Sequence, residues 1–551
     1  MSMRAKPLLR TPPFPWADAW RAAISTAAPS GLTADDTRLE TLTAGIREAR
    51  IGGAFWAPPL PAMGVGTIVL RPNSADEIPL RIAQARALPP GPILAVLPNP
   101  AWGSDALEAA GAHVFAGTFD PWSILAPGVR LLASADDEWV LIAALAGAEV
   151  IGLSSPALVT LLGKALIENT IYRDPFAGRM ATAEQTIPIL ADWRRTCDAN
   201  RAVSAAAGMA WWKRTRMAQF LWTGRPAPLT FLEDKPRPRP SSQDGIAAWP
   251  SRMPPDLAEE ARAADIPLIR VEDGFIRSIG LGANLHPPLS IVVDRTGIYY
   301  DPTGPSDLET ILETADFSAD LIERAGRLTE RIVLGGISKY ESAPPPAADA
   351  APRPRRTVLV AGQVEDDMSV RLGGAGVAGN LDLLRRARAA EPDAHILFKP
   401  HPDVDAGHRR GNVPDVTLRI YADEIVRDEG MPALLARVDA VHVLTSLTGF
   451  EALLRGLEVT THGHPFFAGW GLTRDLAGPV PRRSRRLTRD QLVAGTLILY
   501  PRYLDPVTEL PCPPEILLDR FANGWRPKTT WLIRARRLQG KLARMIGKTS
   551  F

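Results

Sequence analysis

The sequence predicts an α/β protein built on parallel sheets, and three observations predict it. Short aliphatic and β-branched runs bounded by turn signals alternate with helical patterns. Proline-dense breaks divide the chain. The chain also repeats its own strand-and-turn pattern at a distance of about 300 residues.

Along the chain, the strand signals are Thr67–Leu70, Ile93–Val96, Val129–Leu132, a run from Ile266 to Val271, Thr357–Val360 and Ala394–Leu397. A helix is expected over Leu257–Ala264. Glu233 through Pro240 is too rich in proline for a helix or a central strand. Ser342 through Pro354 is a Pro/Ala-rich linker by composition. The expected organisation is therefore residues 1–200, 205–341 and 355–510 as α/β regions, with 511–551 as a basic tail.

The repeat compares the chain with itself. Residues 93–100 read Ile-Leu-Ala-Val-Leu-Pro-Asn-Pro and residues 396–402 read Ile-Leu-Phe-Lys-Pro-His-Pro. Downstream, Gly147-Ala148-Glu149-Val150 echoes Gly456-Leu457-Glu458-Val459, and Tyr172-Arg173-Asp174-Pro175 echoes Tyr503-Leu504-Asp505-Pro506. In the first copy Leu97 and Asn99 stand where the second has Lys399 and His401. Residues 1–200 therefore read as a degenerate, non-catalytic copy, against the alternative that short apolar strings match by chance.

Composition narrows the function. Among 551 residues, 63 Lys and Arg face 61 Asp and Glu, so there is no global field for nucleic acid. Cys197 and Cys512 have no metal-ligand spacing and fit a reducing compartment. Prolines 7, 12, 13 and 15 interrupt the N-terminus, so no signal peptide is evident, and no apolar run reaches the roughly 18 residues of a membrane span. A cytoplasmic protein is expected. From Trp531 to Lys548, apolar residues at helical spacing among Arg and Lys suit either a helix on an anionic membrane surface or a packed helix with a solvated basic face.

Four motifs carry chemistry. Glu272-Asp273-Gly274, with Arg277 and Ser278 close behind, follows the 266–271 strand, where open α/β sheets hold their ligands. Gly274 would allow a sharp turn and close approach of a substrate; the plain alternative is a charged turn with Arg277 as ion-pair partner. Lys399-Pro400-His401-Pro402 presents a histidine between two prolines beside a cation, which suits a phosphate, or is a packed turn. Thr445-Ser446-Leu447-Thr448 opens a helix that continues through Glu451 to Leu454, a setting for an anion or an ordinary cap. Gln363-Val364-Glu365 ends a third strand. Gly373-Gly374-Ala375-Gly376 lacks the Lys-Ser/Thr of a phosphate loop, and neither a dinucleotide fingerprint nor a zinc-protease motif is present.

These segments, with Asp294-Arg295-Thr296-Gly297-Ile298-Tyr299-Tyr300-Asp301 and Pro465-Phe466-Phe467-Ala468-Gly469-Trp470-Gly471-Leu472-Thr473, resemble the capsule polysaccharide Kdo transferases of KpsC/KpsS type, in order over about residues 205–510. The resemblance implies a GT-B-like pair of Rossmann-like domains, here preceded by the degenerate Rossmann-like N-terminal copy. It implies β-linked transfer of Kdo from CMP-Kdo, with retention, to a lysophosphatidylglycerol-linked capsule primer or its Kdo linker, with no metal or further cofactor required. By the same resemblance Asp273, Glu272 and His401 would be catalytic. Lys399, Pro402, Ser446, Thr448, Glu451, Gln363 and Glu365 would lie on the donor side, and Gly274, Arg277 and Ser278 on the acceptor side or in the scaffold. Asp273 would serve as nucleophile, or as base in an inverting relative. The implied partners are the CMP-sugar, a lipid-linked glycan acceptor, a capsule assembly or export complex, and the inner membrane surface through the basic tail. The rival expectation is a non-catalytic scaffold or regulator of that complex.

Overall fold

Each of the six apolar runs forms a strand within two residues of its expected limits, and the expected helix spans Leu257–Ala263. The structure, a computed structural model, describes residues 7–225, 227–232, 244–276, 286–337, 355–407 and 409–527. The segments 233–240 and 342–354 and the basic stretch Trp531 to Lys548 lie outside the described residues. The chain divides into two units. One holds residues up to 202 with 221–228 and 507–512; the other holds 203–220, 229–506 and the chain from 513.

In the first unit, β1 (Ile68–Arg71), β2 (Ile93–Leu97), β3 (Ala112–Ala116), β4 (Arg130–Ala133) and β5 (Glu149–Val150) lie parallel in the order β3-β2-β1-β4-β5. A parallel sheet is covered on both faces, which is why its strands are continuous apolar runs rather than alternating ones. Ile68, Leu70, Leu97 and Leu132 are buried against Ile78, Ala85 and Leu107. Each large side chain removed from water stabilises the unit by about 1.5–3 kcal/mol. A π-helical turn, Lys164–Glu168, leads into β6 (Thr170–Arg173), which pairs antiparallel with Ser25–Ala27.

The second unit contains two sheets. In one, β7 (Val203–Ala207), β8 (Thr230–Leu232), β9 (Gly245–Ala248) and β10 (Leu268–Asp273) run parallel in the order β8-β7-β9-β10. The other comprises β12 (Thr357–Ala361), β13 (His395–Lys399), β14 (Glu424–Ile425), β15 (Ala440–Val443), β16 (Glu458–Thr461) and β17 (Arg474–Asp475), parallel in the order β14-β13-β12-β15-β16-β17. Between these in sequence lies β11 (Ser290–Asp294). It joins the first sheet antiparallel to β10 and is followed there by β18 (Pro501–Leu504).

The sheet of β12–β17 repeats the strand order of the first unit, β1 matching β12 and β5 matching β16. The three sequence echoes fall at equivalent places. Gly147 (φ 79°) ends helix α1 (Glu138–Ala146) just before β5, and Gly456 (φ 74°) follows helix α2 (Leu447–Leu454) just before β16. A second π-helical turn, Ala494–Leu499, precedes β18 as Lys164–Glu168 precedes β6. The Tyr172 hydroxyl donates to the Leu166 carbonyl at 2.8 Å and that of Tyr503 to the Leu497 carbonyl at 2.7 Å, six residues back in each case. The two units thus share a strand order, a π-helical turn and a tyrosine contact where their sequences echo.

His442 on β15 and His462 just past β16 are buried side by side, Nδ1 to Nε2 3.1 Å. Burial holds both rings down to a pKa of about 4; for His442 the nearby Arg474 and Arg356 add to it, and for His462 its partner histidine does. Both rings are neutral in the fold while the unfolded chain protonates below about 6.5. Stability is then fully present above that pH and is lost as pH falls toward 4. Urea titrations between pH 7.5 and 4 should show a loss on the order of 3 kcal/mol, with a flatter dependence in a His442→Gln/His462→Gln variant.

Candidate functional site

Three strands that are neighbours in the sheet of β12–β17 end in the expected polar loops: β12 at Gln363, β13 at His401 and β15 at Ser446. The chain leaves β12 toward one edge and β15 toward the other, so a crevice opens outside their carboxyl ends. Gln363 spans it. Its side-chain amide donates to Thr445 Oγ1 at 2.9 Å and accepts from the Thr445 N–H at 2.8 Å. Asn380 holds the Gln363 backbone from both sides, at 2.8 Å each. Glu365 accepts from the Asn380 N–H at 2.8 Å at the head of the helix Asn380–Ala390. Both side chains therefore brace the loops.

At the head of α2, Ser446 Oγ accepts from the Thr448 N–H at 3.3 Å and donates to Thr448 Oγ1 at 3.1 Å. Free N–H groups and the helix dipole make this end favourable to an anion. Thr448 and Glu451 are buried, and the Glu451 carboxylate opposes the burial that pulls down the pKa of Arg455. His401 Nδ1 accepts from the Asp403 N–H at 3.2 Å, so the neutral ring carries its proton on Nε2. Pro402 occupies the first position of the short helix Pro402–Asp405. The buried ammonium of Lys399 lies 2.7 Å from the Glu429 carbonyl and 3.4 Å from that of Arg427, which anchors the 427–429 loop. The glycine-dense stretch borders a cavity of about 380 Å³ lined by Glu365, Val370, Arg371 and residues 374–379.

The acid pair differs from expectation. β10 does not stop at Val271, because β11 pairs with it to the end: Glu272 faces Val292 and Asp273 faces Ile291. Successive strand residues point to opposite faces, and the two carboxylates accordingly have different partners. Asp273 Oδ1 is 3.1 Å from Lys213 Nζ, whereas Glu272 Oε1 accepts from the Asp273 N–H at 2.9 Å. Lys213 comes from the loop after β7 and is buried with its ammonium 3.4 Å from the centroid of Trp249. Neither Lys213 nor Trp249 carries a sequence motif; the signal, a Trp-Lys pair after a strand, gains meaning only from the sheet order. Gly274 is also reinterpreted. Its φ is not left-handed, and glycine is needed because a Cβ would stand 2.3 Å from Ser290 Oγ. Arg277 and Ser278 lie outside the described residues.

Phe275, directly after the acids, packs with ring centroids 4.9 Å from Tyr299, 4.8 Å from Phe466 and 6.3 Å from Phe450 of α2. Burial pushes the Tyr299 phenol well above its ordinary pKa, and Glu272, Tyr300, Asp367 and Asp273 push it further. The Tyr300 hydroxyl is buried and has no hydrogen-bond partner among the described residues. Asp294 is a structural carboxylate that accepts the N–H groups of Thr296, Gly297 and Asp307 and, at 2.7 Å, the hydroxyl of Tyr500. Among the described residues no cluster of His, Cys, Asp and Glu could hold a metal ion, and no helix is long and apolar enough to cross a membrane.

In the first unit the matching crevice is filled from within. Asn99 caps the Ala101 N–H at 3.0 Å as His401 caps Asp403. Where Ser446 caps α2, Asp137 caps α1, accepting from the Trp139 N–H at 2.8 Å. Arg71, at the end of β1, lies 3.2 Å from the Asp137 carboxylate and over the Trp139 ring.

Over 57% of its length the chain is 30% identical to KpsC of Thermosulfurimonas dismutans, a β-Kdo 2,4-transferase; the match covers 97% of that chain with a TM-score of 0.50. The chain belongs to the KpsC-type capsule polysaccharide Kdo transferase family. Residues 244–503 match the family model for capsule polysaccharide biosynthesis proteins. The capsule polysaccharide modification protein LipA of Neisseria meningitidis serogroup A is 43% identical over 357 residues, 64% of this chain and 50% of LipA. The lipopolysaccharide-processing protein LpsZ of Rhizobium meliloti is 47% identical over 245 residues, 44% of this chain and 55% of LpsZ. The chain thus spans about half the length of the curated relatives it matches.

Replacing Gln363 with Leu removes both bonds across the crevice and leaves the Thr445 hydroxyl and N–H without those partners. Chemical denaturation should show a loss of about 1–3 kcal/mol, with Gln363→Glu less affected.

Proposed function

We propose that this chain is a CMP-sugar-dependent glycosyltransferase that moves Kdo from CMP-Kdo to a lipid-linked capsule primer or its Kdo linker, in β linkage with retention. The observation that carries the reading is the packing of Phe275. It ties the strand end bearing Glu272 and Asp273 to α2, whose N-terminus suits a phosphate. A donor can then have its phosphate at one element and its sugar at the other.

In this reading the donor phosphate lies at Ser446 and Thr448, and His401 Nε2–H donates to a phosphate oxygen. Asp273, ion-paired with Lys213, attacks the anomeric carbon of the sugar; the bond to the phosphate oxygen breaks and its electron pair leaves with CMP. The acceptor hydroxyl then attacks the glycosyl-enzyme, its proton passing to water, and Asp273 departs as a carboxylate; Glu272, on the other face of the strand, assists by holding the Asp273 N–H and so fixing the nucleophile. Two inversions give retention. Gln363, Glu365 and Lys399 hold the loops that frame the donor, Pro402 and Glu451 belong to the same frame, and no cofactor beyond the donor is invoked. The first unit takes no donor, since the Arg71–Asp137 pair already fills its crevice. The reaction runs on the cytoplasmic side, where nucleotide sugars are made, against an acceptor held in the membrane.

Purified protein with CMP-Kdo and a synthetic Kdo-terminated acceptor should yield a β-linked product. Asp273→Ala should lower kcat by at least ~10³-fold while calorimetry shows CMP still bound, and His401→Ala should weaken CMP binding by roughly 10-fold. Calorimetry should give one CMP per chain. Absence of product with every Kdo-terminated acceptor would overturn the reading.

A further inference from the structure

Two segments that carry the family resemblance, Asp294–Asp301 and Pro465–Thr473, have no part in the transfer chemistry and are linked through one buried arginine. Residues 476–488 carry the chain from the sheet of β12–β17 back toward β18 in the sheet of β7–β10. Arg483 lies on this crossing with its side chain 4% exposed, and its partner Glu309 is 8% exposed. On one side, Arg483 Nε donates to Glu309 Oε1 at 3.1 Å. Glu309 stands on the helix Asp307–Thr314, whose Asp307 N–H donates to Asp294 at the end of β11. On the other side, Arg483 Nη1 donates to the carbonyls of Pro465 at 2.6 Å and Ala468 at 2.9 Å, in the turn that follows β16. One guanidinium thus links the two sheets of the second unit.

A buried charge is kept only where it is paired and its remaining donors are satisfied. Burial pulls the Arg483 pKa below its ordinary value, and Glu309 opposes that. Arg482 Nε takes the second oxygen of Glu309 at 3.1 Å, which fixes the plane of the carboxylate. The turn is also held from within, because Trp470 Nε1 donates to the Phe466 carbonyl at 2.8 Å. Gly469, at φ 88°, makes room for the arginine; a Cβ there would stand 3.2 Å from Arg483 Cδ. The residue so fixed is Phe466. Its ring centroid lies 4.8 Å from that of Phe275, two residues past Asp273, and 5.4 Å from that of Phe450 on α2.

We infer that Arg483 and Glu309 are positioning residues for the transfer step: the ion pair sets where Phe466 meets Phe275, and hence where Asp273 stands relative to the N-terminus of α2. Both act through Phe466 rather than on the substrate. A planar fork with donors on two edges holds a carboxylate and two carbonyls at once, which an ammonium on a flexible stem does not reproduce. A misplacement on the order of 1 Å between reacting groups can cost about 100-fold in rate, so a contact remote from the chemistry can govern it. The inference rests on the proposed transfer for what is positioned, but the spacing of the sheets is measured without turnover.

Spin labels on the full chain at Glu259→Cys and Arg385→Cys report the spacing, since each position is exposed on a helix packed against one of the two sheets. The native Cys197 and Cys512 are buried. Pulsed electron resonance should give one narrow distance in the otherwise wild-type chain and a broadened one in Glu309→Gln. Without labels, Glu309→Gln should lower kcat by roughly 10- to 100-fold while calorimetry shows CMP affinity unchanged. Arg483→Lys should retain more of kcat than Arg483→Met. Because removing one partner of a buried pair can unfold the chain, Glu309→Leu/Arg483→Met removes both charges together; it should fold as stably as wild type yet keep the lowered kcat and the broadened distance. An unchanged kcat in Glu309→Gln and the double variant overturns the inference. So does an unchanged distance distribution, or CMP affinity that falls in step with kcat. If the distances broaden while wild type transfers nothing, the pair stands as the spacer of the sheets and the transfer reading falls.

Discussion

The packing of Phe275 is the contact on which the candidate site depends. Its ring lies among Tyr299, Phe450, Phe466 and Tyr500, which belong to segments from both sheets of the second unit. Aromatic pairs at such distances contribute about 0.5–1.5 kcal/mol each beyond the area they bury. Phe275 is also one residue past Gly274 and two past Asp273, so a shift of this ring displaces the acids. The tight fit of Gly274 on Ser290 limits the slack between them.

The three sheets treat one geometric opportunity in three ways. In each, adjacent strands send the chain to opposite edges and leave a crevice at their carboxyl ends. Arg71 and Asp137 close the first with an internal ion pair. Gln363 and Thr445 bridge the one beside α2 with neutral hydrogen bonds and leave the helix N-terminus without a carboxylate. In the third, the loops after β7 and β9 touch directly, the Trp249 N–H donating to the Ala207 carbonyl at 3.0 Å. A single change of cap, aspartate for serine, decides whether a helix N-terminus in this setting already carries a negative charge.

Strand positions were legible because buried parallel strands are written as uninterrupted aliphatic runs, as at Ile93–Leu97 and Thr357–Ala361. The repeat was legible because Gly147 and Gly456 need left-handed backbone, and Tyr172 and Tyr503 need the same distance to a carbonyl. The partners of the acids were not legible. Lys213 is 60 residues from Asp273 in the chain, and nothing local marks a cation buried on Trp249. The strand end was misplaced because Glu272 and Asp273 look like turn residues until β11 is known to pair with them. Gln363 and Glu365 carry the polarity expected of ligand-binding residues, yet their hydrogen bonds go to Thr445 and Asn380.

The paired π-helical turns have an implication for how each unit is threaded. Such a turn adds a residue to a helix at an energetic cost and is often kept for activity. Here it survives at Lys164–Glu168, in the copy whose crevice is filled by its own ion pair, as well as at Ala494–Leu499. Its presence at both places gives each unit the same path into its tyrosine-bearing strand, whatever chemistry the neighbouring crevice carries.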